Sequence, residues 1–424
     1  MNKANQNLLH PFRLVGANLD AWFAAGGGKG LEAALAEPDN IVAKLQDAGL
    51  CGMGGAGFPT WRKWEAAVAA QSKNGSKYVV CNANEDEPGT FKDRFLLAKT
   101  PHQVIEGVLI AAVACRADQA VLYVNPHQHD SLASVAPAIE QWRASALYAQ
   151  IEAYLGKPLN LQLVESSGRY IGGEETAVIS WLDGGFPFPR RKPPYPAESG
   201  VNGEPTLINN TETFANIPQI LANGTEWYRS LGLGDAPGTK LYSLSGDVLN
   251  PGLYELPMGT TLKSLIFDHG GGMLEGRRFK AVFTGGPSNT LLTAKDLDVP
   301  LDFVSVRERK SSLGTGAMIV ISEGTSVVRK VAEYVEFFAT NSCGQCPPCK
   351  GGTFQLSRLL NRVDNGIGTQ DDLNALQSLC TLLPRSGRCG LIDGAVTVLQ
   401  SSLRTFPEEY GLGADRPSES GTNA

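Results

Sequence analysis

The sequence predicts an α/β layer, then a small mixed β domain, and then a helical region. Strand-like and helix-like segments alternate through the first half of the chain, which is typical of parallel sheets covered by helices. Further along, short strand-like runs are separated by glycine and proline, and beyond them apolar residues recur with the period of a helix. The predicted divisions are an α/β domain at 1–236, a mixed β domain at 237–325, a helical domain at 326–410 and a polar, disordered tail at 411–424.

The α/β part is predicted from its apolar runs. Runs at 77–81 and 120–124 predict buried strands, and the apolar segment 104–115 between them predicts a packed crossover helix. A third strand is expected at 161–164, and the segment 41–50 predicts a helix that ends at a glycine. Because strands connected through helices usually run parallel, the sheet is expected to be parallel.

The mixed β domain is predicted from strand-like runs at 240–245, 252–255 and 278–284. One short helix is expected at 261–269, and the glycine-rich stretch 231–238 is a plausible linker.

The helical domain is predicted from four apolar stripes with i, i+3, i+4, i+7 spacing. One stripe follows Thr369, and Asp372 three residues later is typical of a capping box. Short connections between the four helices indicate a four-helix bundle.

Composition excludes several classes of function. Of 424 residues, 37 are Lys or Arg and 43 are Asp or Glu, and the resulting net charge of −6 argues against a nucleic-acid partner. No run approaches the ~18 apolar residues that a membrane span requires. The N-terminal residues lack the apolar segment of a secretory signal. We therefore expect a cytoplasmic protein without a direct membrane span.

The cysteines point to a metal centre. Cys343, Cys346 and Cys349 form a C-x2-C-x2-C run, and Cys389 follows on a separate element. Four thiolates in this pattern favour a [4Fe–4S] cluster. Structural zinc is the alternative, but it normally uses two separated pairs or a cysteine–histidine mixture, and all five histidines lie outside this region. Cys380 competes for the fourth place, although its position on an apolar stripe favours a buried structural role.

A glycine-rich loop is a candidate phosphate site. Gly52, Gly54 and Gly57 form a literal G-x-G-x-x-G, but a helix precedes them where a dinucleotide fingerprint requires a strand. Glycines still let backbone N–H groups approach a phosphate, a helix is expected from about Pro59, and Lys63 would add a positive charge. A tight turn between two helices is the alternative.

Acidic and amide side chains follow the predicted strands. Residues 82–89 come directly after the strand at 77–81, and ligands of open α/β sheets bind at the carboxyl ends of strands. These side chains can accept hydrogen bonds from ribose hydroxyls and ring N–H groups, and a solvated acidic turn is the alternative. The segments 172–176 and 209–213 suit the first turns of helices, where carboxylates and capping asparagines are favoured.

Together these segments resemble the NADH-binding flavoprotein subunit of respiratory complex I. Its soluble relatives serve NAD-linked hydrogenases, formate dehydrogenases and tungsten aldehyde oxidoreductases. The resemblance covers about residues 40–410. Seven ordered blocks carry it, namely GMGGAGFPTWRKW (52–64), CNANEDEPGTFKDR (81–94), YIGGEETA (170–177), KPPYPAESG (192–200), INNTETFANIP (208–218), SCGQCPPC (342–349) and CGL (389–391).

The resemblance implies a Rossmann-like α/β domain that binds flavin and NAD(H), a β-grasp (SLBB) domain and a four-helix bundle that carries one [4Fe–4S] cluster. The flavin is FMN by resemblance, with FAD possible, and NAD(H) is the substrate. No catalytic side chain is expected, because the cofactors carry the chemistry and Glu87 orients the nicotinamide.

The resemblance also implies the residues of each site. The flavin residues are Gly52, Gly54, Lys63, Asn82, Asn84, Glu85, Gly173, Ile208, Asn209, Asn210 and Thr213. The NAD(H) residues are Phe58, Lys63, Glu87, Tyr170, Glu174, Glu175 and Tyr195. The cluster ligands are Cys343, Cys346, Cys349 and Cys389, and the family spacing selects Cys389 over Cys380.

The chain departs from the family pattern at four positions. Relatives commonly have arginine at Cys51 and Met53, aspartate at Asn84 and cysteine at Gly172. The expected function is a diaphorase that exchanges a hydride between NAD(H) and flavin and single electrons between flavin and the cluster, reducing NAD+ with electrons from a partner. The alternatives are a complex I-type subunit that takes electrons from NADH and a degenerate iron–sulfur scaffold without NADH activity. The expected partners are an iron–sulfur electron-transfer subunit and a substrate-oxidising subunit of the hydrogenase, formate dehydrogenase or aldehyde oxidoreductase type.

Overall fold

The computed structural model describes residues 6–411, and these form two compact units. The first unit runs to Gly286 and includes Leu292–Glu323. The second comprises Pro287–Leu291 and the chain from Gly324 onward. The predicted disordered tail lies, after Gly411, outside the described residues.

Among the described residues, the first unit holds twelve α-helices and nine strands. The helices are α1 (Leu19–Ala24), α2 (Lys29–Ala36), α3 (Ile41–Ala48), α4 (Thr60–Ala69), α5 (Lys92–Lys99), α6 (Pro101–Cys115), α7 (His129–Arg143), α8 (Ala146–Leu155), α9 (Glu175–Leu182), α10 (Thr211–Asn223), α11 (Thr225–Ser230) and α12 (Ser305–Glu308).

The larger layer of the first unit is built on a parallel sheet of four strands. They are β1 (Tyr78–Ala83), β2 (Gln119–Val124), β3 (Asn160–Glu165) and β4 (Thr206–Asn210). The order is β3-β2-β1-β4, and each neighbouring pair is parallel, which confirms the prediction of a parallel sheet. The central position of β1 places its carboxyl end beside that of β4, where a ligand of an open α/β sheet binds.

The helices around this sheet begin and end where the sequence supplies caps. All but one of the fifteen residues of α6 are buried, as expected for a crossover helix. Helix α3 ends at Gly49, whose φ of 71° is left-handed and suits glycine. Asn210 caps α10 by accepting a hydrogen bond from the main chain of Glu212. The predicted capping role of the 209–213 segment is therefore confirmed.

A second sheet of five strands completes the first unit. The strands are β5 (Thr239–Gly246), β6 (Gly252–Pro257), β7 (Phe279–Thr284), β8 (Leu292–Thr293) and β9 (Ala317–Ser322). The order is β6-β5-β9-β7-β8, with β5 and β9 parallel and the other pairs antiparallel. The short helix expected in this part is a π-helical turn at Ser264–His269.

The second unit, as far as Gly411, contains four α-helices: α13 (Val327–Thr340), α14 (Phe354–Asp364), α15 (Gln370–Leu382) and α16 (Leu391–Thr405). Thr369 and Asp372 form the predicted capping box at the start of α15. Each side chain satisfies a main-chain N–H that the first turn of a helix would otherwise leave without a partner.

Among residues 6–411, no single helix is both long enough and apolar enough to cross a membrane. Only α5 and α6 taken together, with a bend of 97° between them, reach that length and composition.

Candidate cofactor sites

The carboxyl ends of β1 and β4 lie side by side. Asn82 on β1 is in register with Asn210 on β4, so the acidic loop after β1 and the start of α10 share one edge of the sheet. The side-chain oxygen of Asn209, next to Asn210, accepts a hydrogen bond from the indole N–H of Trp64 at 3.0 Å. The strand end is thereby tied to α4, the helix that follows the glycine-rich loop.

The glycine-rich loop packs directly on this edge. A Cβ atom at Gly54 would lie 2.9 Å from Cβ of Asn210, so the approach requires glycine. The main-chain N–H of Met53 donates to Oγ1 of Thr213 at 2.9 Å, and the N–H of Gly52 donates to the carbonyl of Phe58 at 2.8 Å. The loop is therefore held against the start of α10, as a cradle for a ligand at the strand ends requires.

The acidic loop also meets the segment before α9. The side-chain amide of Asn82 donates to the carbonyl of Gly173 at 2.8 Å. Asn84 donates to the carbonyl of Arg169 at 2.9 Å and accepts a hydrogen bond from the hydroxyl of Ser166. A Cβ at Gly173 would lie 3.1 Å from the carbonyl oxygen of Asn84. Two segments that are distant in the sequence, 82–84 and 166–173, therefore meet with little room for side chains between them.

Lys63 brings a positive charge to this cradle. Its Nζ lies 2.8 Å from Oε2 of Glu175 and 3.5 Å from the carbonyl oxygen of Ile208. The other oxygen of Glu175 lies 2.5 Å from Nζ of Lys192. Burial alone would raise the pKa of Glu175, but the two lysines outweigh it, so the pKa of this carboxyl is lowered.

Two of the predicted carboxylates form hydrogen bonds within the protein. Glu85 is buried and accepts from the main-chain N–H of Asp93 and from Nε of Arg94, both at 2.7 Å. Glu174 caps α9 by accepting from the N–H groups of Thr176 and Ala177. Their roles as direct contacts to flavin and NAD(H) stay predictions.

The remaining predicted NAD(H) residues are more exposed to solvent. The rings of Phe58 and Tyr195 are exposed, at 44% and 55% of their surface, so their faces are accessible for stacking. Tyr170 and Glu87 are half-buried. Gly286, with φ of 93°, allows the Glu87 carboxylate to approach, because a Cβ there would lie 2.3 Å from its Oε1.

The departures from the family pattern have local consequences. Met53 is buried, with Sδ 3.9 Å from Nζ of Lys240. A Cβ at Gly172 would lie 2.2 Å from Oγ of Ser167, so a cysteine there would require Ser167 to move. Burial raises the pKa of the Cys51 thiol, which therefore stays protonated at neutral pH.

Sequence reasoning did not assign a role to Lys92, Asp93 or Lys192. Lys92 and Asp93 both bond to the side chain of Asn210, and Lys192 pairs with Glu175. An isolated charged residue usually lies on a solvated surface, so its type alone does not indicate a role. The sequence feature that could have indicated one is the position of these residues inside the family blocks at 81–94 and 192–200.

In the second unit, the cysteine run lies between α13 and α14. Cys346 and Cys349 are buried, and Cys349 sits in a π-helical turn, Pro348–Thr353. Burial, followed by the nearby Cys346 and Cys389 thiols, raises the pKa of Cys349 to about 12. The Cys389 residue, just before α16, is therefore close to the run.

The cysteine arrangement fits a four-iron cluster by its donor set. Among residues 6–411, no three His, Cys, Asp or Glu side chains converge as ligands of a single ion. A cube does not require this, because each of its thiolates binds a different iron atom. Cys380 lies buried on α15, where burial raises its thiol pKa to about 12, as expected for a core residue.

Family models match three regions of the chain. Residues 45–219 match the Nuo51 FMN-binding domain, and residues 329–412 match the NADH-ubiquinone oxidoreductase-F iron-sulfur binding region. Residues 241–290 match the SLBB domain.

Curated relatives match over most of the chain. An NADH-quinone oxidoreductase subunit of Salmonella typhimurium is 40% identical over 402 residues, covering 94% of this chain and 90% of the relative. NADP-reducing hydrogenase subunit HndC of Solidesulfovibrio fructosivorans is 38% identical, covering 94% of this chain and 81% of the relative.

A solved structure has the same fold. The match is to a chain in the crystal structure of an NAD+-reducing [NiFe]-hydrogenase in the air-oxidised state, with a TM-score of 0.81 and 34% identity. The alignment covers 93% of this chain but 66% of the hydrogenase chain, so the chain spans about two thirds of that protein's length.

Proposed function

The chain belongs to the family of the NADH-binding flavoprotein subunit of respiratory complex I, and on this premise we propose that it is a diaphorase subunit that reduces NAD+ with electrons from a partner. It is an oxidoreductase subunit with FMN, one [4Fe–4S] cluster and NAD(H), of the complex I or hydrogenase type. When bound, the flavin exchanges a hydride with nicotinamide and single electrons with the cluster. The direction of flow is the part proposed.

The observation that carries the flavin site is the meeting of Gly54 with Asn210. The main chain of Gly54 packs there directly against the side chain of Asn210, at the carboxyl edge of a parallel sheet. We assign the flavin to this cradle, and its residues are the eleven named above from Gly52 to Thr213. Lys63, on the helix that follows the glycine-rich loop, supplies a cation at this edge of the sheet, where it would favour the anionic phosphate.

The NAD(H) site is proposed beside it. Phe58 and Tyr195 present exposed ring faces, and Glu175 lies between Lys63 and Lys192. In this arrangement Glu175 fixes the two cations. The other proposed NAD(H)-binding residues are Tyr170, Glu174 and Glu87. Glu87 would orient the nicotinamide amide by accepting a hydrogen bond, which positions the substrate without proton transfer.

The cluster is assigned to Cys343, Cys346, Cys349 and Cys389. Donor type supports the assignment, because four thiols from one turn and one distant loop match iron–sulfur ligation, whereas Cys380 lies in the helical core. FMN is the flavin of the matching family model. FAD stays the alternative because the chain departs from the family pattern at Cys51, Met53, Asn84 and Gly172.

The finer architecture is also proposed. The mixed sheet at 237–325 is assigned as a β-grasp domain, which the match to the SLBB model at 241–290 supports. The four helices between 326 and 410 are assigned as a bundle around the cluster, and 1–236 as the flavin- and NAD(H)-binding domain. A cytoplasmic location is retained because crowded thiols suit a reducing compartment.

The proposed partners are an iron–sulfur subunit and a subunit that oxidises a substrate such as hydrogen, formate or an aldehyde. Similarity to a hydrogenase subunit and to a hydrogenase structure supports this proposal. Similarity to a subunit of NADH-quinone oxidoreductase supports the alternative, in which electrons flow from NADH.

Affinity purification of the chain from its native cell, followed by assay of the complex, tests the proposed direction of electron flow. We expect it to bring down a soluble substrate-oxidising subunit, and the complex to reduce NAD+ when given that partner's substrate. Recovery of a quinone-reducing membrane assembly instead would support the complex I alternative. A chain that holds its iron but neither binds flavin nor reacts with NADH would support the degenerate scaffold.

A further inference from the structure

Four buried charged side chains lie together next to Asn210, the last residue of β4. We call these residues, Lys92, Asp93, Glu212 and Lys240, the buried charge cluster. Nζ of Lys92 lies 2.7 Å from Oδ1 of Asp93 and 3.0 Å from Oε2 of Glu212. Nζ of Lys240 lies 3.1 Å from the same Glu212 oxygen. No side chain of the four is more than 4% exposed. Two cations and two anions balance, so the loss of any one leaves an unpaired charge in the interior.

Stability does not explain why these charges are buried. Removing an ion from water is costly, and apolar residues of similar volume often replace a buried ion pair with no loss of stability. The contacts of the cluster with neighbouring residues point to a different role.

The cluster fixes the side chain of Asn210 in one orientation. Lys92 donates to Oδ1 of Asn210 at 2.9 Å, and Nδ2 of Asn210 donates to Oδ2 of Asp93 at 2.6 Å. A flipped amide would place its N–H donors against the lysine ammonium, so the pair of charges determines which way the amide points. Cβ of this same residue packs on Gly54.

The cluster also reaches the glycine-rich loop. Nζ of Lys240 lies 3.9 Å from Sδ of Met53, whose main-chain N–H is held by Thr213. Both elements assigned to the flavin, the end of β4 and the glycine-rich loop, therefore rest on buried charges. Charges in a poorly solvated interior act over longer distances than charges in water.

We propose that the buried charge cluster positions Asn210 and sets the reduction potential of the flavin through the balance of its charges, an inference that rests on the proposed flavin site. Reduction adds negative charge to the flavin. A nearby cation stabilises that charge and raises the potential, whereas a nearby anion lowers it. The four residues are positioning residues, since none is assigned a contact with the flavin and they act through Asn210 and the glycine-rich loop.

The test compares variants that remove opposite charges. Asp93→Asn and Glu212→Gln, which nearly preserve shape, are expected to raise the flavin midpoint potential in a spectroelectrochemical titration of the purified full chain. Lys92→Met is expected to lower it, and Lys92→Arg, which keeps the charge, to leave it near that of the unmodified chain. If Lys92→Met does not fold, the two carboxylate variants and Lys92→Arg still test the predicted sign of the shift in flavin midpoint potential.

Asp118→Asn is the matched control. Asp118 is also largely buried and accepts hydrogen bonds from the main chain of Lys77 and the hydroxyl of Ser76, both at 3.0 Å. It precedes β2, at the opposite end of the sheet and about 20 Å from the strand ends that hold the flavin, so its loss should not move the potential.

The outcomes separate the two proposals. Shifts of the same sign in Asp93→Asn and Lys92→Met, or no shift in variants that retain flavin, would overturn the role of the cluster and leave the flavin site standing. Absence of flavin from the unmodified chain would overturn both.

Discussion

Lys63 of α4 and Glu175 of α9 form an ion pair of 2.8 Å across 112 residues of sequence. The pair joins the helix after the glycine-rich loop to the helix after Gly173, and both helices begin at the proposed cofactor cradle. Lys192 approaches Glu175 from the other side. One carboxylate thus fixes two cations at a site proposed to bind an anionic dinucleotide.

Lys63→Met is expected to lower kcat/KM for NADH roughly 10- to 100-fold, mainly through KM, because each tenfold corresponds to about 1.4 kcal/mol of lost binding. NADH:ferricyanide kinetics at fixed flavin occupancy measure it. Lys44→Met is the control, since Lys44 also pairs with a glutamate, Glu37, at 2.7 Å but on an exposed surface. Equal effects of the two variants would contradict the assignment of Lys63.

Gly54→Ala is expected to weaken flavin binding about tenfold or more, about 1.4 kcal/mol, because its Cβ would lie 2.9 Å from Cβ of Asn210. Flavin release followed by fluorescence measures the change. Gly252→Ala provides a comparison within the same unit, since its Cβ would meet only ordinary contacts with Tyr254 at 3.7 Å or more. Unchanged flavin affinity in Gly54→Ala would show that the loop is not part of the cradle.

Cys389→Ala is expected to lose the iron–sulfur cluster, whereas Cys380→Ala should keep it. Cys389 is assigned as a ligand, and Cys380 is a core residue whose truncation costs roughly 1 kcal/mol of stability. Iron and acid-labile sulfide per chain distinguish the two variants. A full complement of iron in Cys389→Ala, or its loss in Cys380→Ala alone, would reverse the assignment.

His102 predicts a specific dependence of stability on pH. Burial lowers the pKa of this fully buried residue to about 4, from an ordinary value near 6.5. Between these values the unfolded chain binds a proton that the folded chain does not, so stability is retained above pH ~6.5 and falls as the pH decreases, by up to about 3 kcal/mol at pH ~4. The slope of the melting temperature between pH 4.5 and 7 should be smaller in His102→Gln, and an unchanged slope would contradict this account.

Much of the fold could be predicted from local patterns. The strands at the core of the parallel sheet, the glycine that ends α3 and the capping box of α15 depend on residues close in sequence. The four helices of the second unit follow the apolar stripes for the same reason.

The contacts between distant segments could not be predicted this way. Nothing local indicates that Asn82 bonds to Gly173 or that Lys92 and Lys240 meet at Glu212. Charged residues are usually solvated, so their sequence pattern does not signal burial. Glu85 is an example, because it stands in an acidic stretch typical of an exposed turn but is buried against Arg94.

An anaerobic titration of the purified chain with NADH, after its flavin and iron content have been determined, tests the central claim most directly. The account predicts about one FMN and four iron atoms per chain, and bleaching of the flavin absorbance as NADH is added. A chain that contains flavin and iron in these amounts but shows no flavin bleaching with excess NADH would contradict it.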